Sequence, residues 1–224
     1  MISKTEFFGR PRSLAKVMLC GMSMLAACGK PDATQVPPVV AKSANSPCLV
    51  AHTYVVGALS KKNEELFSAS AAGDIHRVEQ AIVDGANVNA AGSLRRSPLF
   101  ASAFCNRPEV ARLLMDKGSQ ANAKDANGMS PLHAAVIVGG IDAARVLIEK
   151  GADINIRDSA GHTPLHSAAA TDQVLMVQML LENGADAVVR DKNGMTAASL
   201  ALDNGHKAPA EAIKAWQAKI RKPR

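Results

Sequence analysis

Pro98, Pro131 and Pro164 stand 33 residues apart, and many other columns of the chain keep the same step. Leu66, Leu99, Leu132 and Leu165 share it, as do Gly85, Gly118, Gly151 and Gly184, and Asn89, Asn122 and Asn155. Asp125, Asp158 and Asp191 recur as well, each three residues before a glycine at 128, 161 or 194. A register held over so many columns marks one supersecondary unit copied along the chain. A unit of this size cannot bury its own apolar face, so cohesion must come from stacking on its neighbours. Composition agrees. Of the 224 residues 47% are apolar but only 3% aromatic, and alanine is conspicuous, which suits closely stacked helices better than a sheet sandwich.

The residues of one unit predict its local structure. In NGMSPLHAAVIVGG, Ser130 is a good N-cap and Pro131 fits the first helical position, where its missing N–H costs nothing. Gly139 and Gly140 should break that helix. The following IDAARVLIEK places Ile141, Ala144, Val146, Leu147 and Ile148 mostly on one side, and Gly151 ends it as a left-handed cap. Residues from about 152 to 161 then form a β-turn leading to the next unit. SPLHAA at 130–135, TPLHSA at 163–168 and GADIN at 151–155 resemble the ankyrin repeat. The resemblance implies an all-α solenoid of about five helix–turn–helix units joined by β-turns, over residues 63–215. Both ends depart from the pattern. EELFSAS stands where the first proline motif belongs, AAGSLRR lacks the Asp-to-Gly turn, and Ala197, Ala198 and Ser199 replace Pro, Leu and His. End units need one polar outer face, so such departures are expected of caps.

His133 and His166 raise the question of a site built twice. A metal needs several ligands converging at about 2 Å. Stacked units would hold the two rings roughly 10 Å apart, with no cysteine or carboxylate at a partnering spacing. The resemblance implies instead that each histidine bonds near its cap hydroxyl and ties adjacent units together, so neither is expected to be catalytic or metal-binding. No nucleophile elbow, phosphate loop or metal cluster is legible. The chain is expected to be no enzyme and to need no cofactor.

The N-terminus reads as an address. Lys4, Arg10, Arg12 and Lys16 precede VMLCGMSMLAA, a run too short for the roughly 20 residues that span a bilayer. Leu25-Ala26-Ala27-Cys28 resembles the lipobox of bacterial lipoproteins, which implies a signal peptide over 1–27 and acylation of Cys28. An ordinary signal peptide cut nearby is the alternative. Gly29 rather than aspartate after the cysteine implies, for a Gram-negative cell, an outer-membrane anchor facing the periplasm. Residues 28–47, with four prolines, form a tether reaching at most about 60 Å, and 48–62 an N-terminal extension. The segment 216–224 is a basic tail, read either as a solvated end or as a contact for anionic lipid or an acidic partner.

The formal charge of +6 is not a nucleic-acid signal once it is divided. Residues 1–27 carry +3, residues 205–224 carry +5, and the intervening body carries −2. A nucleic-acid-binding body would show its own basic face. Cys20 lies in the signal. Cys48 and Cys105 remain, and in an oxidising compartment they either pair or stay as two thiols.

The ankyrin resemblance implies that a protein partner is held by the turns and by the concave side of the first helices. Carried over by register, those positions include Arg96, Asn127, Met129, His162 and Met195 on turns, with Phe104, Ile137 and Val138 on helices. Lys124, Arg157 and Arg190 form a further column, read as a row facing an acidic partner or as ordinary solvated charges. The expected function is a non-enzymatic protein-binding lipoprotein at the cell envelope. The alternative is an immunity protein that blocks a toxic enzyme, such as a lipase, in the periplasm.

Overall fold

The computed structural model describes residues 60–221, so the segments read above as signal peptide and tether, with Cys28 and Cys48, lie outside the described residues. Among the described residues ten α-helices follow one another in five pairs: α1 Lys61–Ala72 with α2 Ile75–Val83, α3 Pro98–Phe104 with α4 Pro108–Asp116, α5 Pro131–Ile137 with α6 Ile141–Glu149, α7 Pro164–Ala170 with α8 Val174–Glu182, and α9 Ala197–Asp203 with α10 Lys207–Arg221. Pro98, Pro131 and Pro164 each open the first helix of a pair. Among the described residues there is no β-strand, only an isolated antiparallel bridge between Arg190 and Thr196. First helices stack on first helices from α1 through α9, while α4 packs on α6 and α8 on α10.

The first helices α3, α5, α7 and α9 are seven residues long because both ends are fixed chemically. Ser97 Oγ accepts the N–H of Phe100 at 3.1 Å, and Ser130 and Thr196 open α5 and α9 with reciprocal capping bonds. The other end is a turn requiring a left-handed residue, and the column Gly73, Asn106, Gly139, Asp172, Gly205 has positive φ in all five units. Of the two glycines expected to break α5, only Gly139 is left-handed. Gly140 has φ −76° and is needed for room, since a Cβ there would come within 2.9 Å of Asn106 Oδ1.

One column of leucines forms the centre of the stack. Leu66, Leu99, Leu132 and Leu165 are at most 1% exposed, and small residues such as Ala103, Ala135, Ala168 and Ala169 let adjacent pairs close up around them. Burying each leucine contributes about 2–3 kcal/mol.

The end units differ as their sequences require. With neither a proline nor a side-chain bond from its N-cap Ser60 to fix its start, α1 runs for twelve residues and begins at Lys61. At the other end α10 continues to Arg221, beyond the boundary at 215 read from the sequence. Ile213 is fully buried, Trp216 packs against the core, and Gln217 Nε2 donates to Ala187 O at 3.3 Å, so helix rather than tail closes the stack.

Candidate protein-binding face

The turns between units are built by inward-facing aspartates. Asp125 Oδ1 accepts the N–H of Asn127 at 2.8 Å and of Met129 at 2.9 Å, and Asp158 and Asp191 do the same in their own turns. Each carboxylate therefore points into its turn and leaves the tip to other groups. Backbone bonds then tie tip to tip: Ala126 N–H to Leu94 O, Ser159 N–H to Asn127 O and Lys192 N–H to Ala160 O, at 2.8–3.1 Å. A Cβ at Gly128 would sit 2.6 Å from Ser159 N, so this close approach requires glycine. The first turn keeps the backbone shape without the aspartate. Gly92 N–H still reaches Arg96 O at 2.9 Å, but Leu94 and Arg95 adopt φ of 57° and 58°.

The two repeated histidines are fasteners. His133 Nδ1 accepts the Ser130 N–H at 3.3 Å, which places the ring proton on Nε2, and Nε2 donates to His162 O of the next unit at 3.1 Å. His166 does likewise with the Thr163 N–H at 3.3 Å and Met195 O at 3.1 Å. Burial pushes both pKa values down, against partial opposition from those backbone bonds. The neutral tautomer that the bonding needs is thus the one the environment favours.

His162, placed on a turn by its register, is also a bridge. Its Nδ1 lies 3.4 Å from Asp158 Oδ2 and its Nε2 lies 3.3 Å from Asp191 Oδ2, while its ring stacks obliquely on His166 with centroids 5.8 Å apart. The hydrogen bond to Asp158 raises the His162 pKa against the cost of burial, and the charges of Asp158 and Asp191 reinforce it. Burial alone would raise the Asp158 pKa, but hydrogen bonds from the His162 side chain and backbone outweigh it and bring the pKa down. Arg96 makes the corresponding link to Asp125, with Nε 3.6 Å from Oδ2 and its guanidinium over the Phe100 ring at 5.0 Å. The repeating pattern offered no warning of this link, because Met129 and Met195 occupy the same column.

The remaining candidate positions divide into three groups. Phe104 and Met129 are half-buried and pack against the core, and Met195, Ile137 and Val138 are half-buried too. Asn127 is exposed at a turn tip. Lys124, Arg157 and Arg190 are exposed and do line up by unit. Lys124 Nζ donates to Arg157 O at 2.7 Å, Arg157 donates to Arg190 O, and Arg190 to Gly194 O at 2.7 Å. Cys105 is buried beside Phe67, Ala71 and Ala101, while Cys48, its candidate disulfide partner, lies outside the described residues.

A third repeated link was visible as a column but not as a function. Asn89, Asn122 and Asn155 each accept, through Oδ1, a backbone N–H from the following unit (Gln120, Asp153 and Asp186) at 2.8–2.9 Å. On the opposite side the second helices pair their charges across units: Arg112 with Glu149 at 3.1 Å, and Lys150 with Asp116. A shallow hollow of about 280 Å³ there is lined by Pro108, Glu109, Arg112, Leu113, Asp116 and Val146. Among the described residues no group of three or more His, Cys, Asp or Glu is placed to hold a metal ion, and no helix is long and apolar enough to cross a membrane.

A stack of helical hairpins with projecting β-turns defines a repeat solenoid with a row of turn tips along one side. Two family models recognise it: one described as ankyrin repeats (3 copies) over residues 66–158, the other as ankyrin repeats (many copies) over 139–181. Together they span just over half of the chain, which belongs to the ankyrin-repeat family. Ankyrin-repeat proteins are generally non-enzymatic scaffolds for protein interaction, so the family assigns a protein-binding role. No curated protein matches the chain.

Proposed function

We propose that this chain is a non-enzymatic protein-binding module, tethered at the bacterial envelope through acylated Cys28 and presenting its turn tips to a periplasmic or membrane partner. The outer membrane, on its periplasmic side, is the placement favoured by Gly29. The observation that carries the binding face is a division of labour between the two sides of the stack. On the outer side Arg112 and Lys150 pair with carboxylates of an adjacent unit, Glu149 and Asp116, whereas the turn tips hold ordered side chains whose charge no carboxylate offsets. The anchor is supported by the sequence of residues 1–29 alone.

Two experiments test this reading in the native host. A photo-crosslinking residue at Asn127 or Asn193, both exposed tips, should capture a defined partner, whereas one at Gln178 on the outer side of α8 should not. Equal capture from both sides would remove the turn face from consideration. For the anchor, an alkyne-tagged fatty acid should label the wild type and leave the Cys28→Ala variant unlabelled. Label retained in that variant, or absent from the wild type, would exclude acylation at this cysteine.

A further inference from the structure

The turn tips show one sign of charge to solvent. In the windows 93–96, 124–129, 157–162 and 190–195 the exposed charged residues are Arg95, Lys124, Arg157, Arg190 and Lys192, all cations. The carboxylates of the same windows face inward. Asp125 and Asp191 are buried, and the Asp158 side chain is 14% exposed. Among the described residues, Lys124, Arg157 and Arg190 make no ion pair. Their hydrogen-bond partners are carbonyl oxygens, which order a side chain without cancelling its charge. A guanidinium has five N–H donors and an ammonium three, so each keeps donors free for a second acceptor. Because the side chains are already held, a ligand avoids most of the entropy cost of ordering them.

The row also has a length scale. Stacked helices sit about 10 Å apart, which sets the step between equivalent residues; Lys124 and Arg157 reach from their own unit to the next, while Arg190 bonds Gly194 O of its own turn. A polyproline II segment has three residues per turn and rises about 3.1 Å per residue, so every third side chain returns to the same face after about 9.3 Å. A β-strand returns after about 6.6 Å and falls out of step. Acidic segments also repel themselves into extended shapes.

We propose that the Lys124–Arg157–Arg190 row docks an extended acidic segment of the partner protein, in polyproline II conformation, with a carboxylate at every third residue. This rests on the protein-binding reading above and names the partner's chemistry. The probe is a (Glu-Pro-Pro)4 peptide titrated into the purified full chain at low salt. A peptide of the same composition with its glutamates in one block is the control. The periodic peptide should bind at least tenfold more tightly than the block peptide, with affinity falling as salt is added.

The triple variant K124Q/R157Q/R190Q should lose at least tenfold in affinity, whereas K124R/R157K/R190K, which keeps the charges, should retain most of it. Arg112→Gln on the outer side should change nothing. Equal affinity for the two peptides, no binding by the wild type, or full binding by the neutral triple variant would each overturn the proposal. Failure of both triple variants would assign these side chains to tying turns together and overturn it too. If wild type and neutral variant capture the same native partner equally well, the protein-binding reading stands and the acidic one falls.

Discussion

Arg95 shows how one missing glycine registers in an otherwise regular stack. It occupies the column of Gly128, Gly161 and Gly194, and takes the same left-handed conformation at φ 58°. A residue with a Cβ pays about 1 kcal/mol there. Arg95→Gly should therefore stabilise the protein by about 1 kcal/mol in denaturant unfolding, and a loss of stability would mean that its side chain makes up the difference. His162 makes a second prediction at this scale. Its folded pKa is raised above the ordinary 6.5, so its stabilising contribution is complete below about pH 6.5 and is lost as pH rises through the folded value. His162→Gln should accordingly cost more stability at pH 6 than at pH 9, and an equal loss at both would remove the bridge to Asp158 and Asp191. His133 and His166 work in the opposite sense. Their lowered values make their contribution complete above about pH 6.5 and lost as pH falls through the folded pKa. Asp158 loses its contribution below its unfolded value of about 3.8, as pH falls through its folded pKa.

Within a helical pair, the links to the next pair matter as much as the bonds inside it. His133 spans α5 and the following turn, so removing it leaves the buried Ser130 N–H without its partner, takes one of two donors from His162 O and opens a cavity. His133→Ala should cost about 3 kcal/mol, read as a lower denaturant midpoint with the slope unchanged. A loss below about 1 kcal/mol would mean that water replaces the ring without penalty. The helices themselves were legible because Ser or Thr, then Pro, then apolar spacing specify the first helix of a unit locally. The role of Asn122 was not, although its column was plain. Its carbonyl oxygen acts on Asp153 N–H, 31 residues away, and only the stacking distance brings the two together.

Across the whole molecule, stability is a sum of units and of the interfaces between neighbours. The C-terminal unit therefore depends on its cap. Ile213 and Trp216 of α10 cover the apolar edge left by α8 and α9. Ending the chain after Asn204 should expose that edge, so that amides of α9 exchange hydrogen much faster while those of α5 keep most of their protection. Equal loss of protection in α5 and α9 would show a single cooperative block instead. The early end read for the solenoid, at 215, has its cause here. Helix and tail are both basic in this segment, and only the packing of Trp216 and Gln217 distinguishes them.

Pattern along the chain was enough to establish the unit, its period and its proline-opened helix starts, and the family resemblance implied the fastening role of His133 and His166. Unit, period and helix starts follow from residues close together in the chain or from columns that recur at a fixed step. Packing in three dimensions settled what the exposed column of cations touches, that His162 and Arg96 reach the aspartates of the next turn, and that Arg95 adopts a left-handed backbone. These depend on how closely one unit settles on another, a distance that side-chain volumes across the interface set and that a one-dimensional pattern does not contain.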